Sequence, residues 1–213
     1  MKRISVWSGA VALLLALLLP GGAAGVWAQE VDGKLGIGLR GGGAHLTQIV
    51  TGDLEGEVGP VANLSVFYGA SPTLLYGVEI EWQAHTLQFD CEHCDIGNAV
   101  TVSFRPTAQF RTLALSPFVP YFLIGLGVNV NRFNADEECP SCTIKAKHTP
   151  ALKVGGGADY FVTPGLALNG EFGWNVNASR ADYDVAIGGR TLRGTDGFHL
   201  NAFSLLVGLR YFY

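Results

Sequence analysis

From residue 29 onward the chain contains no stretch of eighteen apolar residues, yet segment after segment of about ten residues alternates apolar positions with polar ones or glycine. That is the period of a strand, whose successive side chains point to opposite sides of a sheet. Hydrophobic residues make up 48% of the chain and charged residues only 15%. A soluble sandwich or lipocalin-like cup would hide its apolar face and show water a polar one. Here the face opposite the apolar one is glycine with isolated charges, which suits a narrow lumen better than a solvated surface. A bilayer admits only helices or closed barrels, because backbone groups left unpaired in hydrocarbon are too costly. With no helix-length run, the expectation is a barrel that turns its apolar face to lipid.

The first 28 residues are set aside as a secretory leader. Lys2 and Arg3 supply a basic start, residues 11–19 are an unbroken apolar run too short to span a bilayer, and Val26-Trp27-Ala28 offers a cleavage site before Gln29. No cysteine follows the site, so a lipoprotein anchor is not expected. The mature domain is then 29–213. Taking Lys2 and Arg3 from the 14 basic residues leaves 12 against 18 acidic ones, a net charge of −6 that argues against nucleic acid as a partner.

Eight segments carry the alternation. In the first, Val31, Leu35, Ile37 and Leu39 oppose Asp32, Lys34 and Arg40; the second covers about residues 58–68. The third sets Tyr76, Val78, Ile80 and Trp82 against Glu79, Glu81, Gln83 and His85, and the fourth sets Val100, Val102, Phe104 and Phe110 against Arg105 and Arg111. The fifth runs through Phe122, Ile124, Leu126, Val128 and Val130. The sixth, about residues 151–162, is rich in glycine and places Lys153 and Asp159 on one parity. The seventh opposes Leu166, Leu168, Phe172 and Trp174 to Asn169, Glu171 and Asn175, and the eighth points Phe203, Leu205, Val207, Leu209, Tyr211 and Tyr213 outward, leaving Arg210 inside.

Three connections are short, at 69–73, around 113–117 and at 163–165; four are long, at about 41–57, 86–98, 134–149 and 178–197. Short turns belong on the periplasmic side of such barrels and long loops outside. Trp82 and Trp174 then fall roughly 20 Å above the start of tilted strands, near the outer interface. Tyr68 and Tyr76, with Phe110, Tyr160, Tyr211 and Tyr213, form the opposite aromatic girdle.

In these features the chain resembles the small eight-stranded outer-membrane proteins, the group that includes the OmpA transmembrane domain, OmpX and OmpW. The likeness covers the whole mature chain. Its most specific motif is the ending, where Gly208, Tyr211 and Tyr213 match the family's assembly signal; the chain departs from that signal at Leu206, where the family usually carries a polar residue. The resemblance implies an all-β, eight-stranded antiparallel transmembrane barrel in the outer membrane, a monomer whose partners are outer-membrane lipids and the assembly machinery, with loops open to an extracellular protein partner.

An eight-stranded barrel has an interior just wide enough for its own side chains to fill. Lys34, Arg40, Arg105, Arg111, Lys153 and Arg210 share that interior with Glu79, Glu81 and Glu171, so a paired ionic plug is expected. The function this supports is a structural or interaction scaffold with a largely plugged polar lumen. The alternative is a narrow conduit for small or apolar molecules, of the OmpW kind, with a lipid-modifying enzyme as a minor third reading. No catalytic set is expected: His45 with Thr47, His85, His148 and His199 fit no His-x-Ser arrangement, and no cofactor or metal is called for.

Two Cys-x-x-Cys motifs, Cys91 with Cys94 and Cys139 with Cys142, fall in two of the long loops. Their spacing suits a four-thiolate zinc site. Export to an oxidising compartment favours disulfides, in any of three pairings; zinc and a redox role are the alternatives. In the last long segment, alternation on both sides of Gly188-Gly189 predicts a hairpin that continues the barrel wall outward as a rigid extracellular rim, with strand addition at its edge as the alternative.

Overall fold

The computed structural model describes residues 31–47, 54–89, 94–112, 117–135, 143–187 and 190–213. The expected leader lies outside these residues, as does most of the short turn around 113–117. In chain order the strands are β1 (Leu35–Leu46), β2 (Leu54–Gly56), β3 (Gly59–Ser71), β4 (Leu74–Phe89), β5 (Cys94–Arg111) and β6 (Phe118–Ala135). They continue as β7 (Thr143–Ala146), β8 (Thr149–Phe161), β9 (Leu166–Val176), β10 (Ala178–Ile187), β11 (Arg190–His199) and β12 (Ala202–Phe212).

Eight of these close a ring. β1 pairs antiparallel with β3, β3 with β4, β4 with β5, β5 with β6, β6 with β8, β8 with β9, β9 with β12, and β12 with β1 again. Closure removes both sheet edges, the condition hydrocarbon imposes on strands. The register shows how far the strands tilt. The row of paired residues that leaves β8 at Asp159 runs through Asn169, Gly208, Arg40, Asn63, Glu81, Ser103 and Asn129, and returns to β8 at Thr149, a stagger of ten residues. The row climbs from the short-turn end towards the long-loop end, so groups distant in sequence and in strand number arrive at one height.

Alternation sets the two faces. Leu39, Leu126, Phe172 and Leu205 are among the exposed outward residues, 53–67% accessible, while their neighbours Arg40, Asn169, Glu171 and Ser204 are buried. This apolar-out, polar-in arrangement is the inverse of a soluble sandwich. Tyr68, Tyr76, Phe110, Tyr160, Tyr211 and Tyr213 are exposed around the short-turn end, with Tyr68 and Tyr76 5.5 Å apart and Tyr211 and Tyr213 6.2 Å apart. Trp82 and Trp174 face out nearer the other end. The short turn at 163–165 is held by Thr163 Oγ1, which accepts the Leu166 N–H at 3.1 Å.

Several sequence expectations are corrected. The long connections contain more strand than expected: β4 runs on to Phe89, β5 starts at Cys94, β6 ends at Ala135, and β7 forms inside the third connection. Paired strands satisfy each other's backbone groups in water as well as in lipid, so the hairpins do not stop where the apolar outer face stops. The fourth connection is the expected hairpin, β10 with β11, and β7 joins it to make a three-stranded sheet ordered β11-β10-β7. At the other end, β1 starts only at Leu35. Val31, expected outward, is fully buried beneath the lumen, while Asp32 and Lys34, expected inside, lie in the turn before β1, exposed and half-buried. The turn there has Gly33 at a φ of 70°, which breaks the alternation before the strand begins.

Candidate functional site

The lumen is filled in layers. At mid-height lie six ionic side chains, each 2% accessible or less: Arg40 on β1, Glu79 and Glu81 on β4, Arg105 on β5, Lys153 on β8 and Glu171 on β9. Three cations face three carboxylates. Arg40 bridges Glu79 at 2.5 Å and also binds Glu171, and its guanidinium donates to Asn63 Oδ1 at 2.6 Å. Lys153 lies 2.8 Å from Glu81, 2.7 Å from Glu171 and 3.6 Å from Glu79. Arg105 stands in register with Glu79 yet bridges Glu81 at 3.0 Å, and it donates to Asn175 Oδ1 at 3.1 Å. Burying an ion is costly unless it is paired and hydrogen-bonded, and here every charge in the belt has an opposite partner.

Gly208 makes room for this belt. A Cβ there would stand 2.0 Å from the Leu39 carbonyl oxygen and 2.9 Å from Arg40 Cγ, so a side chain on β12 would displace the arginine that links β1 to β4 and β9. Gly208 thus has a packing reason of its own, independent of any assembly signal.

Below the belt, Arg210 lies 3.2 Å and Arg111 3.4 Å from one oxygen, Asp159 Oδ2. Arg210 also donates to Gln109 Oε1 at 3.0 Å and to the Tyr121 hydroxyl at 3.3 Å. Tyr121 donates to Glu171 at 2.9 Å and so couples this layer to the belt. Beneath lies an apolar floor of Val31, Phe67, Leu75, Val119, Phe161, Ala167 and Phe212.

Above the belt the interior divides. On the side of β5, β6, β8 and β9 an amide and hydroxyl seam runs upward: Ser103 donates to Asn129 at 2.7 Å and Thr101 to Asn131 at 2.9 Å, while Asn177 bonds Asn131, Thr101 and Thr149. On the side of β1, β3, β4 and β12 an apolar cluster forms, with Leu46, Val61, Leu87, Ala202 and Leu206 packed alongside Ile96 and Ala99, among the buried polar Gln83, His85 and Ser204. Ile144 of β7 belongs to the same cluster. β7 follows β6, which stands opposite β1 in the ring, and pairs with β10. Leu206, the departure from the assembly signal, is fully buried here.

Of the lumen residues expected from sequence, the fold brings together Arg40, Glu79, Glu81, Arg105, Arg111, Lys153, Glu171 and Arg210; Lys34 stands apart. The sequence pattern does not single out Asn63 or Tyr121. Gln109 shares the inward parity of Arg105 and Arg111, whereas Tyr121 sits between Pro120 and Phe122 and reads locally like a girdle aromatic. His85 is buried, its Nδ1 3.1 Å from the Glu57 carbonyl oxygen, whereas His45 and His148 are exposed. Cys91, Cys139 and Cys142 lie outside the described residues, and Cys94 enters only as the first backbone pair of β5, opposite Phe89.

The model of the outer membrane protein beta-barrel domain family matches residues 14–211. The fold is similar to that of the outer membrane protein OprG from Pseudomonas aeruginosa, with a TM-score of 0.67 and 11% identity over 89% of this chain and 99% of that one. Neisserial surface protein A is similar with a TM-score of 0.54 and 14% identity over 84% of this chain and 95% of its own. A search of the curated proteins finds no match.

Proposed function

The chain belongs to the outer membrane protein beta-barrel domain family, and from that membership we propose that it serves as a closed scaffold of the outer membrane, displaying its long-loop end to the exterior. The observation that carries this reading is the central belt, in which three buried cations and three buried carboxylates neutralise one another across β1, β4, β5, β8 and β9. An ion passing along the axis would have to break these buried pairs, at a cost that paired burial is built to avoid. Apolar clusters lie towards both ends of the lumen, a full floor at the short-turn end and a half-section near the long loops. The scaffold role is non-catalytic, and its working surface is the outer rim, where the β11-β10-β7 sheet stands above the wall.

A second reading, a conduit for small apolar molecules, draws on the apolar half of the long-loop chamber around Leu46, Leu87 and Leu206. Planar-bilayer recording together with liposome uptake of a small uncharged apolar dye separates the two. The scaffold predicts a silent bilayer and no accelerated uptake from protein that still migrates faster unheated than boiled. Stepwise openings that change in Glu81→Gln would replace the scaffold with an ion conduit, and dye uptake would replace it with an apolar one.

A further inference from the structure

We infer that the short-turn end of the lumen binds a small monovalent inorganic anion, of chloride size, between Arg111 and Arg210. The inference goes beyond the scaffold reading and holds equally for a conducting barrel. Its first ground is the charge of the layers. The central belt balances three cations with three carboxylates, whereas the layer below sets two guanidiniums against one carboxylate, Asp159, and they share the same oxygen at 3.2 and 3.4 Å. Arg210 has a further carboxylate only at 3.7 Å, in Glu171, which Lys153 and Arg40 already engage. Among the described residues the buried interior therefore carries five cations against four carboxylates, and an unbalanced buried charge draws in a counter-ion.

The second ground is the set of donors left over. Arg111 Nε, Arg210 Nε and Gln109 Nε2 are buried without an acceptor. Gln109 joins the two arginines: it precedes Arg111 by two residues on the inward face of β5, and its Oε1 accepts from Arg210 Nη1 at 3.0 Å. Rings cover the guanidinium faces, with Arg111 5.6 Å from Phe161 and 5.7 Å from Phe212, and Arg210 5.1 Å from Phe67 and 4.8 Å from Tyr121. Those contacts offset part of the excess charge but leave the Nε N–H of each guanidinium unanswered. A spherical anion satisfies such donors and restores neutrality in one step.

The test uses the full barrel in detergent micelles at constant ionic strength set by sodium gluconate, whose anion is too bulky for the site. Exchanging gluconate for chloride is expected to raise the unfolding midpoint saturably, by about 2–4 °C, with bromide acting alike. Arg111→Gln should abolish most of the rise, while Lys34→Gln, a change outside the lumen, keeps it. Crystals grown in bromide supply a readout that needs no variant: an anomalous peak within hydrogen-bond distance of both guanidiniums. Equal midpoints in chloride and gluconate, a rise that survives Arg111→Gln, or no bromide peak between the arginines would each overturn the inference.

Discussion

The mid-height belt and the apolar half of the long-loop chamber are lined by inward positions of shared strands, yet one is held by ions and the other by methyl groups. Arg40 and Leu46 both project from β1 into the lumen, six residues apart, and Glu81 and Leu87 do the same on β4. The contrast teaches that inward parity determines only that a residue meets the lumen. What it meets there depends on height. The belt's charges each need several partners from different strands, so its stability is collective; the chamber's contacts are non-directional and divide among many neighbours.

The comparison breaks most sharply at Arg40. Arg40→Met leaves Glu79 and Glu171 without one of their cations and is expected to cost about 3–5 kcal/mol of stability, measured as a shift of the urea midpoint for loss of the heat-modifiable gel band. A loss under about 1 kcal/mol would mean the belt is wet and its pairs replaceable. The chamber should respond by packing instead. Leu87→Ala, which removes a fully buried side chain beside Ile96 and Leu46, is expected to cost about 2–4 kcal/mol. Hydrogen exchange should place its loosening in the upper parts of β1, β4 and β12 and spare the short-turn end. Protection lost equally at both ends would deny that the two regions are separate. The smallest effect is expected at Lys34→Gln, within about 0.5 kcal/mol in the same urea assay, because the turn before β1 holds this lysine half-buried and outside the ionic layers.

The barrel itself was readable in the alternation. Leu205, Val207, Leu209 and Tyr211 against Leu206, Gly208 and Arg210 declare two faces whatever the strand pairs with, because successive side chains of any strand point opposite ways. The inward ions were readable for the same reason. Val31, Asp32 and Lys34 misled because the same alternation continues into a turn, where Gly33 interrupts it. Tyr121 was hidden because a single aromatic on a strand looks the same whether it serves a girdle or a lumen; its hydroxyl is identified only once Glu171, Asn169 and Arg210 surround it. The extent of β7 was equally out of reach, since four residues carry too short a pattern to specify a strand.

By itself, then, the amino-acid order determined a closed wall of eight strands with lipid-facing and lumen-facing sets, since a period of two is local and survives any pairing. Which charges meet was decided by the tertiary structure. Glu79 stands in register with Arg105 but pairs with Arg40, and Arg105 pairs with Glu81, because a stagger of ten residues accumulated around the ring brings distant strands to one height. That height is a property of closure, which no single segment contains.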